Sequence, residues 1–211
     1  MRIRLAAAIM ALLIIPGIGL AQQAGSFVGG IELGITSALG DFRTETLQAS
    51  TGVGLGAELR YTLIQNFSFG PFIKYQRFGS NIQSGSGNIS YNFPQYGGLA
   101  RLNMFNVGGG KFYLLGGGGL FKPTLHLWAP DFTINEPSKN GTFFTGALGL
   151  CSDPYAKTIY ELEIRYNTGN ADLTLTDLSG VETTSNYKYD FIYVAIKLSF
   201  NSKGITSPPR Y

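Results

Sequence analysis

The chain has 211 residues, and its 29 glycines, 15 phenylalanines and 12 tyrosines favour strands and tight turns over long helices. Sixteen basic against 13 acidic side chains give a formal charge of +3 with no basic face on any segment, which argues against nucleic acid as a partner. The single cysteine, Cys151, excludes an internal disulfide and reads as a small residue at a strand end rather than a nucleophile.

The amino-terminal segment reads as an export signal. Arg2 and Arg4 precede the apolar run from Leu5 to Ile15, Pro16 and Gly17 break it, and Gly19-Leu20-Ala21 offers small residues at the positions read for cleavage after Ala21. An amino-terminal membrane anchor is the alternative, but the run is well short of the roughly 20 residues that a spanning helix needs. Removing residues 1–21 leaves 190 residues carrying 14 basic and 13 acidic side chains, so the mature chain is nearly neutral.

Eight segments then alternate in side-chain character with a period of two, the signature of strands. In the first, Phe27, Gly29, Ile31, Leu33 and Ile35 oppose Val28, Gly30, Glu32, Gly34 and Thr36. In the second, Val53, Leu55, Ala57, Leu59 and Tyr61 oppose Gly52, Gly54, Gly56, Glu58 and Arg60. The third sets Phe67, Phe69, Pro71, Ile73 and Tyr75 against Ser68, Gly70, Phe72, Lys74 and Gln76, and the fourth sets Tyr96, Gly98, Ala100, Leu102 and Met104 against Gly97, Leu99, Arg101 and Asn103.

The fifth segment, from Lys111 through Phe121 toward Trp128, has no clear parity because Gly116, Gly117, Gly118 and Gly119 interrupt it. The sixth runs from Gly141 to Cys151. In the seventh, Thr158, Tyr160, Leu162, Ile164 and Tyr166 oppose Ile159, Glu161, Glu163, Arg165 and Asn167. In the last, Ile192, Val194, Ile196, Leu198 and Phe200 oppose Phe191, Tyr193, Ala195, Lys197 and Ser199.

The bulky faces recur opposite small and charged faces, so a bilayer rather than a protein layer is the expected environment of the bulky side. Connections at residues 37–50, 79–88, 129–140 and 168–186 are long and polar, while those at 64–66, 106–110 and 152–156 are short. This asymmetry predicts an all-β fold, an eight-stranded antiparallel transmembrane β-barrel with short periplasmic turns and long external loops. A sheet in hydrocarbon cannot keep a free edge, so it must close. Tyr61, Tyr75, Tyr96, Tyr113, Tyr160, Tyr166 and Phe200 are candidates for interfacial aromatic girdles.

The candidate functional constellation is the inward charge: Glu32, Glu58, Glu161 and Glu163 against Arg60, Lys74, Arg101, Arg165 and Lys197. Eight strands leave an interior just wide enough for side chains, so these groups are expected to pair as a plug, with a proton or solute path as the alternative.

On the export signal, the Leu115-Gly-Gly-Gly-Gly-Leu120 strand, the Tyr160-Glu-Leu-Glu-Ile-Arg-Tyr166 strand and the closing Phe191-Ile-Tyr-Val-Ala-Ile-Lys-Leu-Ser-Phe200 strand, the chain resembles the small outer-membrane β-barrel proteins of the outer-membrane protein A and X type. The resemblance covers nearly all of the mature chain. It implies a signal peptide over 1–21, an outer-membrane β-barrel over 22–200 and a periplasmic tail over 201–211. It also implies location in the bacterial outer membrane, a monomer, and delivery by periplasmic chaperones to barrel-assembly machinery that reads the aromatic end of the last strand. No peptidoglycan-binding domain is expected after the barrel, so the anchoring role of the larger family members is not implied.

Lipid-modifying enzymes on this scaffold use a His with a Ser, but the only histidine, His126, lacks a serine two residues on and reads as a rim residue. No metal cluster, cofactor motif or phosphate loop is found, so no catalytic, cofactor or metal residues are assigned. The reading is a non-enzymatic barrel with a charge-plugged lumen and a structural or surface-interaction role. The alternatives are a narrow channel for small or hydrophobic solutes and a soluble lipocalin-like barrel, the latter disfavoured by charge opposite the bulky faces.

Overall fold

The computed structural model describes residues 24–44, 48–80, 88–129, 132–137, 139–176 and 182–203. The export signal expected over 1–21 and the tail beyond residue 203 lie outside them. Ten strands and one short helix are present among the described residues: β1 (Ser26–Leu39), α1 (Gly40–Thr44), β2 (Ala49–Ile64), β3 (Phe67–Ser80), β4 (Asn88–Val107), β5 (Gly110–Phe121), β6 (Thr124–Ala129), β7 (Phe132–Pro137), β8 (Gly141–Cys151), β9 (Thr158–Thr176) and β10 (Glu182–Asn201).

Eight of the strands close a ring. Antiparallel pairing runs β1, β2, β3, β4, β5, β8, β9 and β10, and β10 returns to β1 along twelve residue pairs from Val28 with Asn201 to Leu39 with Asp190. A walk through the paired residues Gln76, Gly54, Gly34, Ala195, Glu163, Gly149, Tyr113 and Asn103 returns to Asn66, ten residues from its start. That stagger is the shear that tilts the strands of a closed barrel.

The alternation decides which face turns inward. Ile35, Leu55, Ile73, Phe144, Tyr160 and Ile196 are each more than half exposed on the outside, while Glu32, Glu58, Lys74, Arg101, Arg165 and Lys197 are buried inside. An outward apolar belt around an inward polar core is the arrangement that a bilayer satisfies and water does not. Of the girdle candidates, Tyr75, Tyr96, Tyr160, Tyr166 and Phe200 are exposed on the outer wall and Tyr61 is half-buried. Tyr113 is not a girdle residue: it is fully buried inside, because β5 turns its odd-numbered residues Tyr113, Leu115 and Phe121 inward.

Outside the ring the structure departs from the expected loops. The fifth strand does not continue toward Trp128; it ends at Phe121, just before Pro123, which has no amide hydrogen to extend the ladder. Thr124–Ala129 then forms β6, which pairs with the start of β4 and, through a hairpin, with β7, where a loop was expected. The 168–186 connection is mostly strand, since β9 runs to Thr176 and β10 begins at Glu182. The 37–50 connection contains α1, whose Phe42 is fully buried. Residues 81–87 of the 79–88 connection lie outside the described residues.

Candidate functional site

The inner wall is built in layers. Nearest the short turns, Val28, Ser68, Asn103, Ile159 and Asn201 lie around a cavity of about 20 Å³, room for about one water. Above it lie the charged residues. They come from β1, β2, β3, β4, β9 and β10, so the network spans the lumen from opposite walls.

Each carboxylate meets at least two cations. Glu32 lies 2.6 Å from Lys74, 3.3 Å from Arg165 and 3.2 Å from Lys197. Glu58 is 2.9 Å from Arg60 and 3.1 Å from Lys197. Glu161 is 2.9 Å from Arg60 and 2.5 Å from Arg101, and Glu163 is 2.5 Å from Arg165 and 2.8 Å from Lys197. All nine sequence-derived charges are brought together, five cations with four anions. Charges removed from water on this scale are tolerable only when paired and hydrogen-bonded.

Neutral side chains that the sequence did not single out complete the network. The Tyr113 hydroxyl donates to Glu163 at 3.0 Å, and the Ser199 hydroxyl donates to Glu161 at 2.9 Å. The Arg101 guanidinium lies 3.7 Å from the centroid of the Tyr113 ring and donates through Nε to Asn103 at 2.9 Å. Lys74 lies 4.2 Å from the Tyr193 ring, whose hydroxyl donates to the Gly54 carbonyl at 3.2 Å. Two such rings fit because the facing wall is glycine. A Cβ at Gly149 would collide with the Tyr113 ring, and one at Gly54 would lie 2.7 Å from Tyr193. The signal for Tyr113 was present in the shared parity of 113, 115 and 121, but the glycines hid it.

Above the charges comes a layer of buried amides, Gln76, Gln95 and Asn167. Beyond them the lumen becomes aromatic, with Phe78, Phe93, Phe121, Phe143, Tyr189 and Phe191 in edge and stacked contacts at centroid distances of 5.2 to 6.2 Å. The interior is thus ionic toward the short turns and apolar toward the other end. Cys151 closes β8, buried, with its thiol 3.5 Å from the Lys111 carbonyl. His126 lies on β6, in register with Ser90 and Asn135, off the barrel ring. Among the described residues no group of His, Cys, Asp and Glu has the makings of a metal site.

No family model and no curated protein sequence matches the chain. Solved structures do. The outer membrane protein AlkL in lipid bilayers superimposes with a TM-score of 0.54 at 15% identity, over 91% of this chain and 96% of that one. Neisserial surface protein A gives 0.51 at 15% identity over 84% and 97%. The outer membrane protein OprG of Pseudomonas aeruginosa gives 0.51 at 13% over 85% and 97%. At such identities the likeness is one of architecture, and it agrees with the closed ring and outward apolar belt described above. The chain has the fold of the small outer-membrane β-barrel proteins.

Proposed function

We propose that this chain is a non-enzymatic integral protein of the bacterial outer membrane. Its lumen is closed by the inward charge network, and its role is structural or in surface contacts made by the segments opposite the short turns. The observation that carries the reading is the network itself: four buried carboxylates and five buried cations joined by contacts of 2.5 to 3.3 Å across the lumen. The reading is supported by contacts that cross the lumen from opposite walls and by the adjoining cavity of about 20 Å³, room for about one water. The outward belt supports the membrane placement, with Tyr160 and Phe200 near the short-turn end and Tyr75, Tyr96 and Tyr166 toward the other.

Planar-bilayer recording of the purified protein tests the closed lumen. The wild type is expected to be electrically silent. Robust single-channel conductance would overturn the plug and support a narrow channel for small solutes instead.

A further inference from the structure

At the end of the barrel opposite the short turns, a cage of aromatic rings encloses one ring that does not belong to the wall. Phe78 on β3, Tyr91 and Phe93 on β4, and Tyr189 on β10 are carried by hydrogen-bonded strands and are buried. Phe42 of α1 projects among them. Its ring centroid lies 5.1 Å from Phe78, 5.7 Å from Tyr91, 5.4 Å from Phe93 and 5.2 Å from Tyr189, with ring planes inclined by 65° to 73°. Four edge-to-face contacts around one ring match the geometry that aromatic quadrupoles prefer.

The element that carries Phe42 is short. It is a single turn of five residues, closed by the Thr44 hydroxyl donating to the Gly40 carbonyl at 3.1 Å, and a lone turn is unfavourable in water. Asp41, Arg43 and Thr44 are exposed. Gly40, the first residue of α1, and Gln48, just before β2, have φ of 51° and 41°, a left-handed conformation that glutamine adopts infrequently. The cage therefore belongs to the strands of the barrel wall, and its occupant to a one-turn helix outside them.

The floor beneath the rings is polar and uncharged. Two residues along from Phe78 is Gln76, two along from Phe93 is Gln95, and Asn167 is the register partner of Phe191. The amide nitrogen and oxygen of all three have no hydrogen-bond partner among the described residues, and each residue is at most 3% exposed. Buried amides in that condition favour any ligand group able to pair with them.

We propose that this cage is a binding site for a small planar aromatic compound bearing a neutral hydrogen-bonding group, and that Phe42 occupies it as a built-in competitor. The walls supply ring contacts, and the amide layer supplies donors and acceptors for the substituent. A neutral substituent suits the uncharged amide layer, and Lys188 and Asp190, on either side of Tyr189, are paired with each other at 2.8 Å. Entry requires Phe42 to withdraw, so the apparent affinity of the wild type is reduced by the fraction of molecules in which α1 is lifted.

The probe is 4-fluorophenol, followed by fluorine NMR against the whole protein in phospholipid nanodiscs, with empty nanodiscs correcting for partition. Phe42→Ala is expected to bind it about tenfold more tightly than the wild type or better, and Phe42→Ala combined with Phe93→Ala is expected to lose that binding. Saturated 4-fluorocyclohexanol is expected to bind neither protein. Equal affinities for wild type and Phe42→Ala, or binding indifferent to Phe93→Ala or to ring saturation, would overturn the proposal. A second readout needs no variant: saturating 4-fluorophenol should speed chymotrypsin cleavage after Phe42 in the wild type, and an unchanged cleavage rate would equally overturn it.

Discussion

Gly149 is the register partner of both Tyr113 on β5 and Glu163 on β9, and its missing side chain is what lets the Tyr113 ring cross β8 to reach the carboxylate. Any Cβ at position 149 would enter the space of the ring. A donor to Glu163 and a cation–π partner for Arg101 thus depend on one glycine in a neighbouring strand.

Gly149→Ala is therefore expected to destabilise the barrel by about 1 to 3 kcal/mol, the range for overpacking a filled interior. Gly146→Ala, on the same strand but with nothing within 4 Å of the added carbon, is expected to be close to neutral. Urea unfolding in lipid vesicles compares the two directly, and equal midpoints would remove the steric account.

Arg101→Ala leaves Glu161 with Arg60 as its remaining cation, and breaking a buried pair typically costs about 3 to 5 kcal/mol. The vacated volume adjoins the small cavity at the short-turn end, so water enters there first. The expected result is a lower unfolding midpoint, together with bilayer conductance absent from the wild type. An unchanged midpoint would mean that Arg101 contributes nothing to holding the network.

Leu55 is 59% exposed on the outer wall. Leu55→Arg is expected to cost about 2 to 4 kcal/mol if the position lies near the bilayer midplane, and Leu55→Ala much less. Comparable midpoints for the two would place Leu55 outside the hydrocarbon. Gly56→Ser is a poor control for this test. The alternation puts Gly56 inside, but a Cβ there would lie 2.8 Å from Glu32 Oε1, so the substitution disturbs the network.

Orientation is tested by cysteine labelling in a Cys151→Ala background. Asp41→Cys and Asn140→Cys, both exposed at the end opposite the short turns, are expected to react with a membrane-impermeant maleimide on intact cells. Gly109→Cys, in the turn between β4 and β5, is expected to react only after lysis. The reverse pattern would invert the barrel.

The ring was legible wherever bulky and small residues alternate without interruption, as along β1, β2, β3, β9 and β10. Period two alone assigns their faces, and that assignment also gave the side on which Glu32, Arg60 and Lys197 lie. It could not say which charges meet. Glu161 reaches Arg101 sixty residues away, a pairing fixed by barrel shear rather than local pattern. β5 was opaque because glycines occupy both faces, which left Tyr113 unplaced. Phe42 was hidden for a different reason: a single aromatic in a polar connection carries no periodicity, and its burial depends on rings from β3, β4 and β10. β6 was missed because its pairing partner, the start of β4, is remote in sequence, and β7 pairs in turn with β6.

The seam between the first and last strands has a consequence for how the molecule comes into being. Lys197 sits on β10 and touches Glu32, Glu58 and Glu163, so the carboxylates of β1 and β2 gain this further cation only when the final strand zips onto β1. Lys197 is therefore a keystone. A nascent sheet of seven strands has both a raw hydrogen-bonding edge and a set of half-neutralised acids, and a single docking event cures the two together. Part of the electrostatic reward is accordingly withheld until β10, the last twenty residues of the ring, is in register with β1.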